Sequence, residues 1–148
     1  MRISAKARYG LSSMICLAQK YNTGECTTII SLSEKLKISK IYLEQVFSLL
    51  KRAGLVSSTK GSQGGYQLAD DPKKISSYDI LSSIEAALFE KTGETVLSSD
   101  EAIEKTMQQE VFKKLDDNIK AALSEITLAD LANETEKQSS KDGYMFYL

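Results

Sequence analysis

Hydrophobic positions in the first third of the chain repeat at helical spacing three times. The stretch 4–21 places its apolar residues on one helical face, and Ser4 is in position to cap it. A shorter stripe follows over 29–36, and a third over 40–53 begins directly after Ser39, a second N-cap residue. Only the short segment "KIS" separates the last two stripes. This spacing predicts a helix–turn–helix.

The spacing of the apolar residues is no longer helical after the third predicted helix. "LVSSTK" (55–60) and "YQLA" (66–69) are typical of short strands, and "GSQGG" joins them as a hairpin loop. A Walker loop would need Lys–Ser or Lys–Thr after its last glycine, where this chain has Tyr66. A dinucleotide-binding loop would lead into a helix and not into a strand. The glycine loop is therefore predicted to be the wing of a winged helix-turn-helix.

Helical spacing returns in the second half of the chain. One helix is predicted over 77–89, an irregular stretch over 90–100 and a helix about 38 Å long over 101–126. Thr127 is predicted to begin a short last helix, "LADLANE". The expected fold is mainly α with a small β-hairpin, organised as a winged helix-turn-helix (1–75), a connecting helix and loop (76–100), a long helix with a short helix (101–135) and a C-terminal tail (136–148).

The helix over 101–126 is longer than one small domain usually needs. Its apolar stripe predicts homodimerisation, and an ordinary core helix packed within one chain is the alternative. The stripe comprises Ile103, Met107, Val111, Leu115, Ile119 and Leu123.

The small net charge of −1 hides two halves of opposite sign. Residues 1–75 hold twelve Lys/Arg and five Asp/Glu, a charge of +7, whereas residues 76–148 hold seven and fifteen, a charge of −8. This asymmetry favours contact between the first half and a polyanion. Chance segregation of solvated charge is the alternative.

Composition argues against several classes of protein. The chain has no histidine, which excludes Ser–His and Cys–His nucleophile pairs and histidine metal sites. We therefore expect that the protein is not an enzyme. No apolar run is long enough for a membrane span, and the charged N-terminus lacks the features of a signal peptide. We therefore expect a cytoplasmic protein without a membrane partner, with its two cysteines reduced.

Three segments together resemble one family of regulators. "MRISAKARYGL", "YLEQVFSLLKRAGLVSSTKGSQGGYQLA" and "YDIL" resemble the bacterial Rrf2 family of winged-helix transcription regulators, and the likeness covers residues 1–88 strongly. The resemblance implies a homodimer that binds a palindromic operator in double-stranded DNA. It further implies a sequence-specific repressor, here of cysteine or sulfur metabolism genes. A winged-helix adaptor that binds protein and not DNA is the alternative.

The resemblance places DNA reading on the third helix. Glutamate can accept from cytosine N4 and glutamine can bond adenine in the major groove. Lysine or arginine at the end of that helix either contacts DNA or favours the helix dipole, and Tyr42 either packs or touches a phosphate. The DNA-binding residues expected from this likeness are Arg2, Lys6, Arg8, Tyr9, Ser39, Lys40, Ile41, Glu44, Gln45, Lys51, Arg52, Lys60 and Gln63.

Many members of the family hold a [2Fe–2S] cluster through three cysteines between the fourth helix and the dimer helix. The matching stretch, "LFEKTGETVLSSDEAIEK", contains no cysteine. Cys16 lies on an apolar helix face and Cys26 lies in "TGECTT", so they do not rebuild that site. We expect no cluster, no other cofactor and no metal site.

Two further features stay open. Cys26 is either a redox-active thiol near a helix N-terminus or a small residue without a role. The C-terminal "GYMFYL" resembles the end of the cysteine-metabolism repressors of the family, which implies O-acetylserine thiol-lyase (cysteine synthase) as a possible partner. Its large groups either bind such a partner or pack on the dimer; they are Tyr144, Phe146, Tyr147 and Leu148.

Overall fold

Three capped helices form the N-terminal part of the fold, α1 (Ala5–Gln19), α2 (Ile29–Leu36) and α3 (Lys40–Arg52). Ser4 caps α1, because its Oγ accepts a hydrogen bond from the backbone N–H of Ala7 at 3.1 Å. The computed structural model describes the backbone of residues 1–96 and 99–146 and the side chains through residue 142. Within it, the three helices confirm the pattern expected from the hydrophobic spacing.

The turn between α2 and α3 is held by local hydrogen bonds. Lys37 takes a left-handed conformation with φ of 57°, which ends α2. Ser33 then closes the turn, because its Oγ donates to the carbonyl oxygen of Ile38 at 2.6 Å. Ser39 opens α3, so the helix–turn–helix is present as predicted.

The wing is a two-stranded antiparallel hairpin of β1 (Val56–Thr59) and β2 (Gly65–Leu68). Val56 lies opposite Leu68, and Thr59 lies opposite Gly65. A backbone bridge joins the hairpin to the segment before α2, because Thr27 and Tyr66 exchange two hydrogen bonds of 2.8 Å each. The wing is therefore attached to the rest of the domain through main-chain contacts.

One hydrophobic core unites the helices, the wing and the chain's C-terminal part. Phe47 from α3 and Met14 from α1 are fully buried at its centre. Residues from all of these elements complete the core; they include Leu17, Leu32, Leu43, Val46, Leu50, Val56, Leu68, Ile80 and Leu128.

The α-helix of the connecting region is shorter than predicted. α4 (Ser77–Ile84) begins at a capping box in which Ser76 and Asp79 exchange hydrogen bonds of 2.9 and 3.0 Å. The α-helix ends at Ile84, and a 3₁₀ turn (Ala86–Phe89) takes up the rest of the predicted 77–89 segment.

A continuous helical rod follows, which we call the long helix. It consists of α5 (Glu101–Met107), a π-helical turn (Gln108–Phe112) and α6 (Lys113–Glu125). The residues at both junctions keep right-handed helical angles, so the rod is unbroken. The extent predicted from the hydrophobic stripe is confirmed, whereas the π turn is a feature that the stripe did not predict.

The last helix, α7 (Leu128–Phe146), is much longer than the short helix predicted from "LADLANE". The division at 135 into a short helix and a tail is therefore wrong for the backbone through residue 146. Residues 136–142 contain no glycine or proline to end the helix, and an i,i+4 hydrogen bond of 3.1 Å joins Gln138 to Glu134. Packing also favours α7, because Leu128 is fully buried and Glu136 accepts a hydrogen bond from Gln19 of α1 at 3.1 Å.

The residues expected at the partner-binding end lie mostly outside the described part of the chain. The helix backbone reaches Phe146, whereas the side chains of Tyr144 and Phe146 are not among those described. Tyr147 and Leu148 lie outside the described residues altogether. Along residues 1–96 and 99–146, no helix combines the length and the apolar character that a membrane crossing requires.

Candidate nucleic-acid interface

The outer face of α3 presents the side chains expected to read bases. Leu43 and Val46 point into the core, which turns Ile41, Glu44 and Gln45 outward. Ile41 is 68% exposed, and both polar side chains are exposed beside it.

A shallow depression collects residues from two helices on this face. Ile41, Glu44 and Gln45 line it together with Ser48 of α3 and the half-buried Lys6 of α1. Lys6 thus places a cation next to the base-reading positions, where it could meet a phosphate.

The basic start of the chain is held beside α4. The backbone N–H of Ser4 donates to Oε2 of Glu85 at 3.3 Å. Arg2 and Arg8 border the same surface cavity as Glu85 and are exposed. Glu85, which sequence reasoning missed, therefore holds the backbone at the start of α1; no local motif reveals a contact across 81 residues.

Tyr9 and Tyr42 join α1 to the start of α3. Their rings meet edge to face with centroids 5.9 Å apart. Tyr42 is still 49% exposed, so it packs on one side and keeps its other side open. Both alternatives considered for Tyr42 are therefore compatible with its position.

The end of α3 is tied to the wing. Lys51 Nζ donates to Ser58 Oγ of β1 at 2.6 Å. Arg52 next to it is exposed, as are Ser39 and Lys40 at the other end of the helix. Lys51 therefore has a structural partner within the chain, in addition to the DNA contact expected of it.

Aromatic packing fixes the wing's base relative to α3. The ring of Tyr66 lies on that of Phe47 with centroids 4.6 Å apart. Beyond this base, Lys60 and Gln63 are exposed in the hairpin loop. The glycine loop thus presents a cation and an amide on a support that is anchored to the reading helix.

The two cysteines occupy different environments. Cys16 is 7% exposed in the core, and burial raises the pKa of its thiol, with Lys35 and Lys20 opposing that shift. Cys26 is half-buried and directly precedes Thr27 of the wing bridge. The expectation that Cys16 is a core residue is confirmed.

The segment before α5, which includes Thr92, Gly93 and Val96, is held on the long helix by side-chain hydrogen bonds. Glu104, 2% exposed, accepts from the backbone N–H of Val96 at 2.8 Å and from the amide of Gln108 at 3.1 Å. These donors, the Val96 N–H first, lower the pKa of Glu104 against the opposing effect of burial. Further along the long helix, Asp116 accepts from the backbone N–H of Thr92 at 3.3 Å.

The long helix leaves one apolar face uncovered. Ile103, Val111 and Leu115 are 53, 53 and 54% exposed. The other members of the predicted stripe, Met107, Ile119 and Leu123, are partly buried within the chain.

Comparison with known proteins decides the class of this molecule. A family model described as Rrf2, iron-dependent transcriptional regulator, matches residues 3–134. The chain belongs to the Rrf2 family. It is 37% identical over 148 residues to the HTH-type transcriptional regulator CymR of Bacillus subtilis (strain 168), with 100% of both chains covered.

Solved structures of Rrf2 regulators have the same fold. The structure of CymR (YrzC), described as the global cysteine regulator of B. subtilis, matches with a TM-score of 0.75 at 36% identity, over 90% of this chain and 98% of that one. The structure of T. potens IscR matches with a TM-score of 0.74 at 34% identity, over 99% of this chain and 97% of that one. This Rrf2 protein is therefore a DNA-binding transcription regulator with a winged-helix fold, as the sequence indicated.

The family description names iron, and the residues of this chain can be tested against such a site. The only thiols are Cys16, packed in the core, and Cys26, beside the wing. Two carboxylates that contact the segment before α5 already accept hydrogen bonds, Glu104 from Val96 and Asp116 from Thr92. The residues present do not fit an iron–sulfur cluster.

Proposed function

We propose that this protein is a homodimeric repressor that binds a palindromic operator and controls genes of cysteine or sulfur metabolism. The observation that carries the DNA-reading part is the outward face of α3, where Ile41, Glu44 and Gln45 share one surface with Lys6. Exposed cations on α1 and the wing flank this face and would neutralise phosphates. A protein-binding adaptor is not favoured, because the relatives are transcription regulators.

The test is genome-wide recovery of DNA bound by the protein in its host, followed by gel shift on the recovered motif. We expect a motif with two-fold symmetry located upstream of sulfur or cysteine genes. Recovery of no common sequence would exclude sequence-specific binding. A clear motif at unrelated genes would leave DNA reading intact and exclude only the metabolic assignment.

The proposed homodimer rests on the uncovered face of the long helix. Val111 and Leu115 lie one turn apart on this face, and each exposes about half of its side chain. A second copy of the chain would cover both, and a two-fold axis would match the symmetry of a palindromic operator.

The metabolic assignment is supported by likeness at both levels of comparison. CymR of B. subtilis is described as a global cysteine regulator and matches the whole of this chain. O-acetylserine thiol-lyase is proposed as a partner of the C-terminal residues 144–148. Full-length protein should retain the purified enzyme on a column, and a chain that ends at residue 143 should not.

We further propose that the protein works without a cluster or other cofactor, has no enzymatic activity and acts in the cytoplasm. The support for the first point is that one thiol, Cys16, lies in the core and the other, Cys26, lies next to the wing bridge. Protein purified without oxygen should be colourless. A brown sample with stoichiometric iron and sulfide would contradict this.

A further inference from the structure

Ile41 is an unusual residue for the position that it occupies. It is the second residue of α3, and it is 68% exposed, more than any other large apolar side chain of the described residues except Met1. Leu43 and Phe47 of the same helix are fully buried. Ile41 therefore does not contribute to the core. Its branched apolar side chain is exposed to solvent at the N-terminal end of α3.

The surroundings of Ile41 argue against a protein-docking patch. Lys6, Glu44, Gln45 and Ser48, all polar, border the same depression together with the half-buried Leu49. An apolar interface would need an extended patch of exposed apolar groups, whereas most of the side chains around Ile41 can form hydrogen bonds. A partner that fits must carry a small apolar group between polar edges.

The major groove of DNA offers such a group. Among the base edges exposed there, thymine presents a C5-methyl group, and the others present hydrogen-bond donors and acceptors. Glu44 and Gln45 follow Ile41 by three and four residues, so the three side chains lie on one helical face. The N-terminal residues of a reading helix are the ones that reach base edges.

We propose that Ile41 reads the C5-methyl group of a thymine in each operator half-site, next to a base pair read by Glu44 or Gln45. This inference rests on the proposed DNA-reading function and adds one specificity-determining contact to it. The contact is apolar, so it should be insensitive to salt, unlike the phosphate contacts of the neighbouring cations.

Replacing thymine by deoxyuridine removes only the methyl group and leaves base pairing unchanged. We expect one position in each half-site where this change weakens wild-type binding about fourfold, which corresponds to the ~0.8 kcal/mol of one buried methyl group. Changing both half-sites of the operator should weaken binding roughly 15-fold if the two contacts are independent. Competition binding against the recovered operator measures both effects.

Two variants connect the effect to Ile41. Ile41→Ala should bind the thymine and deoxyuridine operators equally, and its melting curve should match that of the wild type because the side chain is exposed. Ile30→Ala is the matched control, since Ile30 is 55% exposed on α2, and it should keep the fourfold preference.

The outcomes separate this inference from the function on which it rests. Specific binding with no deoxyuridine-sensitive position, or an equal loss in Ile41→Ala, overturns the methyl contact and leaves operator binding intact. A protein that selects no DNA sequence overturns both.

Discussion

Gly65 carries a strong backbone constraint at the point where the wing meets the rest of the domain. Its φ is +138°, which side chains rarely adopt, and a Cβ there would lie 2.7 Å from the carbonyl oxygen of Thr27. The close approach lets Tyr66 bond to Thr27 and pack on Phe47. Gly65 thus allows the close approach of two backbone segments.

The first prediction concerns this glycine. Gly65→Ala should destabilise the protein by about 1–3 kcal/mol or more, because it combines backbone strain with a main-chain clash. Thermal unfolding should show a melting temperature lower by roughly 5 °C. Gly93→Ala is the control, because a Cβ at that position would meet no atom within 4 Å, and its melting temperature should be unchanged. Equal stability of the two variants would contradict the tight contact.

The second prediction separates base reading from phosphate contact. Glu44→Ala should relax discrimination at one operator position by about 1–3 kcal/mol, because we expect its carboxylate to accept from a specific base edge. Lys60→Ala should weaken binding to all sequences by a similar factor, since we expect this cation of the wing loop to contact a phosphate. Binding to the operator and to its single-base variants measures both. A uniform loss in Glu44→Ala, or a changed sequence preference in Lys60→Ala, would require the two roles to be exchanged.

At the scale of elements, side-chain hydrogen bonds from the long helix hold the segment before α5 in place. From the long helix, Asp116 accepts a hydrogen bond from Thr92 and Glu104 accepts one from Val96. Gln108 donates to Glu104. Gln108 also donates to the carbonyl oxygen of Gly93 at 3.0 Å. In this protein, hydrogen bonds from the long helix therefore hold this segment in place.

The third prediction follows from the lowered pKa of Glu104. A carboxylate whose folded-state pKa is depressed stabilises the fold above its unfolded pKa of about 4.3, and that stability is lost as the pH falls through the folded value. Wild type should therefore exceed Glu104→Gln in stability above about pH 5, and the difference should shrink below about pH 4. Denaturant unfolding at several pH values measures this.

A control makes that pH dependence specific. Glu101→Gln changes an exposed carboxylate in the first turn of α5 and should show a much smaller difference at neutral pH. A gap between wild type and Glu104→Gln that stays constant from neutral pH to below about pH 4 would contradict the role assigned to the charge.

The elements that the sequence predicted well are those with strong local signals. Ser4 and Ser39 cap α1 and α3 where the hydrophobic stripes begin, and the glycine loop lies between two strands. The length of α7 was missed, because residues 134–142 are polar and carry no stripe. Packing against α1, through the Gln19–Glu136 contact, is a tertiary effect that sequence spacing does not reveal.

The same distinction holds for the candidate site. Exposure of Glu44 and Gln45 follows from helical periodicity, so it was predictable. The partners of Lys51 and Ser4 were not, because Ser58 and Glu85 are brought to them by the fold of the wing and of α4. Contacts of this kind depend on three-dimensional proximity and leave no pattern in the chain.

At the scale of the whole molecule, the fourth prediction concerns assembly. Val111→Glu combined with Leu115→Glu should give a monomer by sedimentation, because two charges would be buried in the proposed interface. Both side chains are about half exposed in the single chain, so the monomer itself should stay folded. Ile30→Glu, on α2, places a charge at a similarly exposed isoleucine and should remain dimeric. A double variant that sediments as a dimer would place the interface elsewhere.

The fifth prediction joins assembly to DNA binding through charge. The basic half of the chain holds +7 and the acidic half −8, so phosphate contacts should come from the winged helices of both copies. If a dimer neutralises roughly six to ten phosphates, log affinity should fall against log salt with a slope of about −5 to −9. The monomeric double variant keeps its own DNA-reading face but lacks the second copy. The slope of log affinity against log salt should therefore fall to about half. A salt-independent affinity would contradict phosphate-driven binding and favour the adaptor. An unchanged slope in the monomer would show that one copy makes all the phosphate contacts.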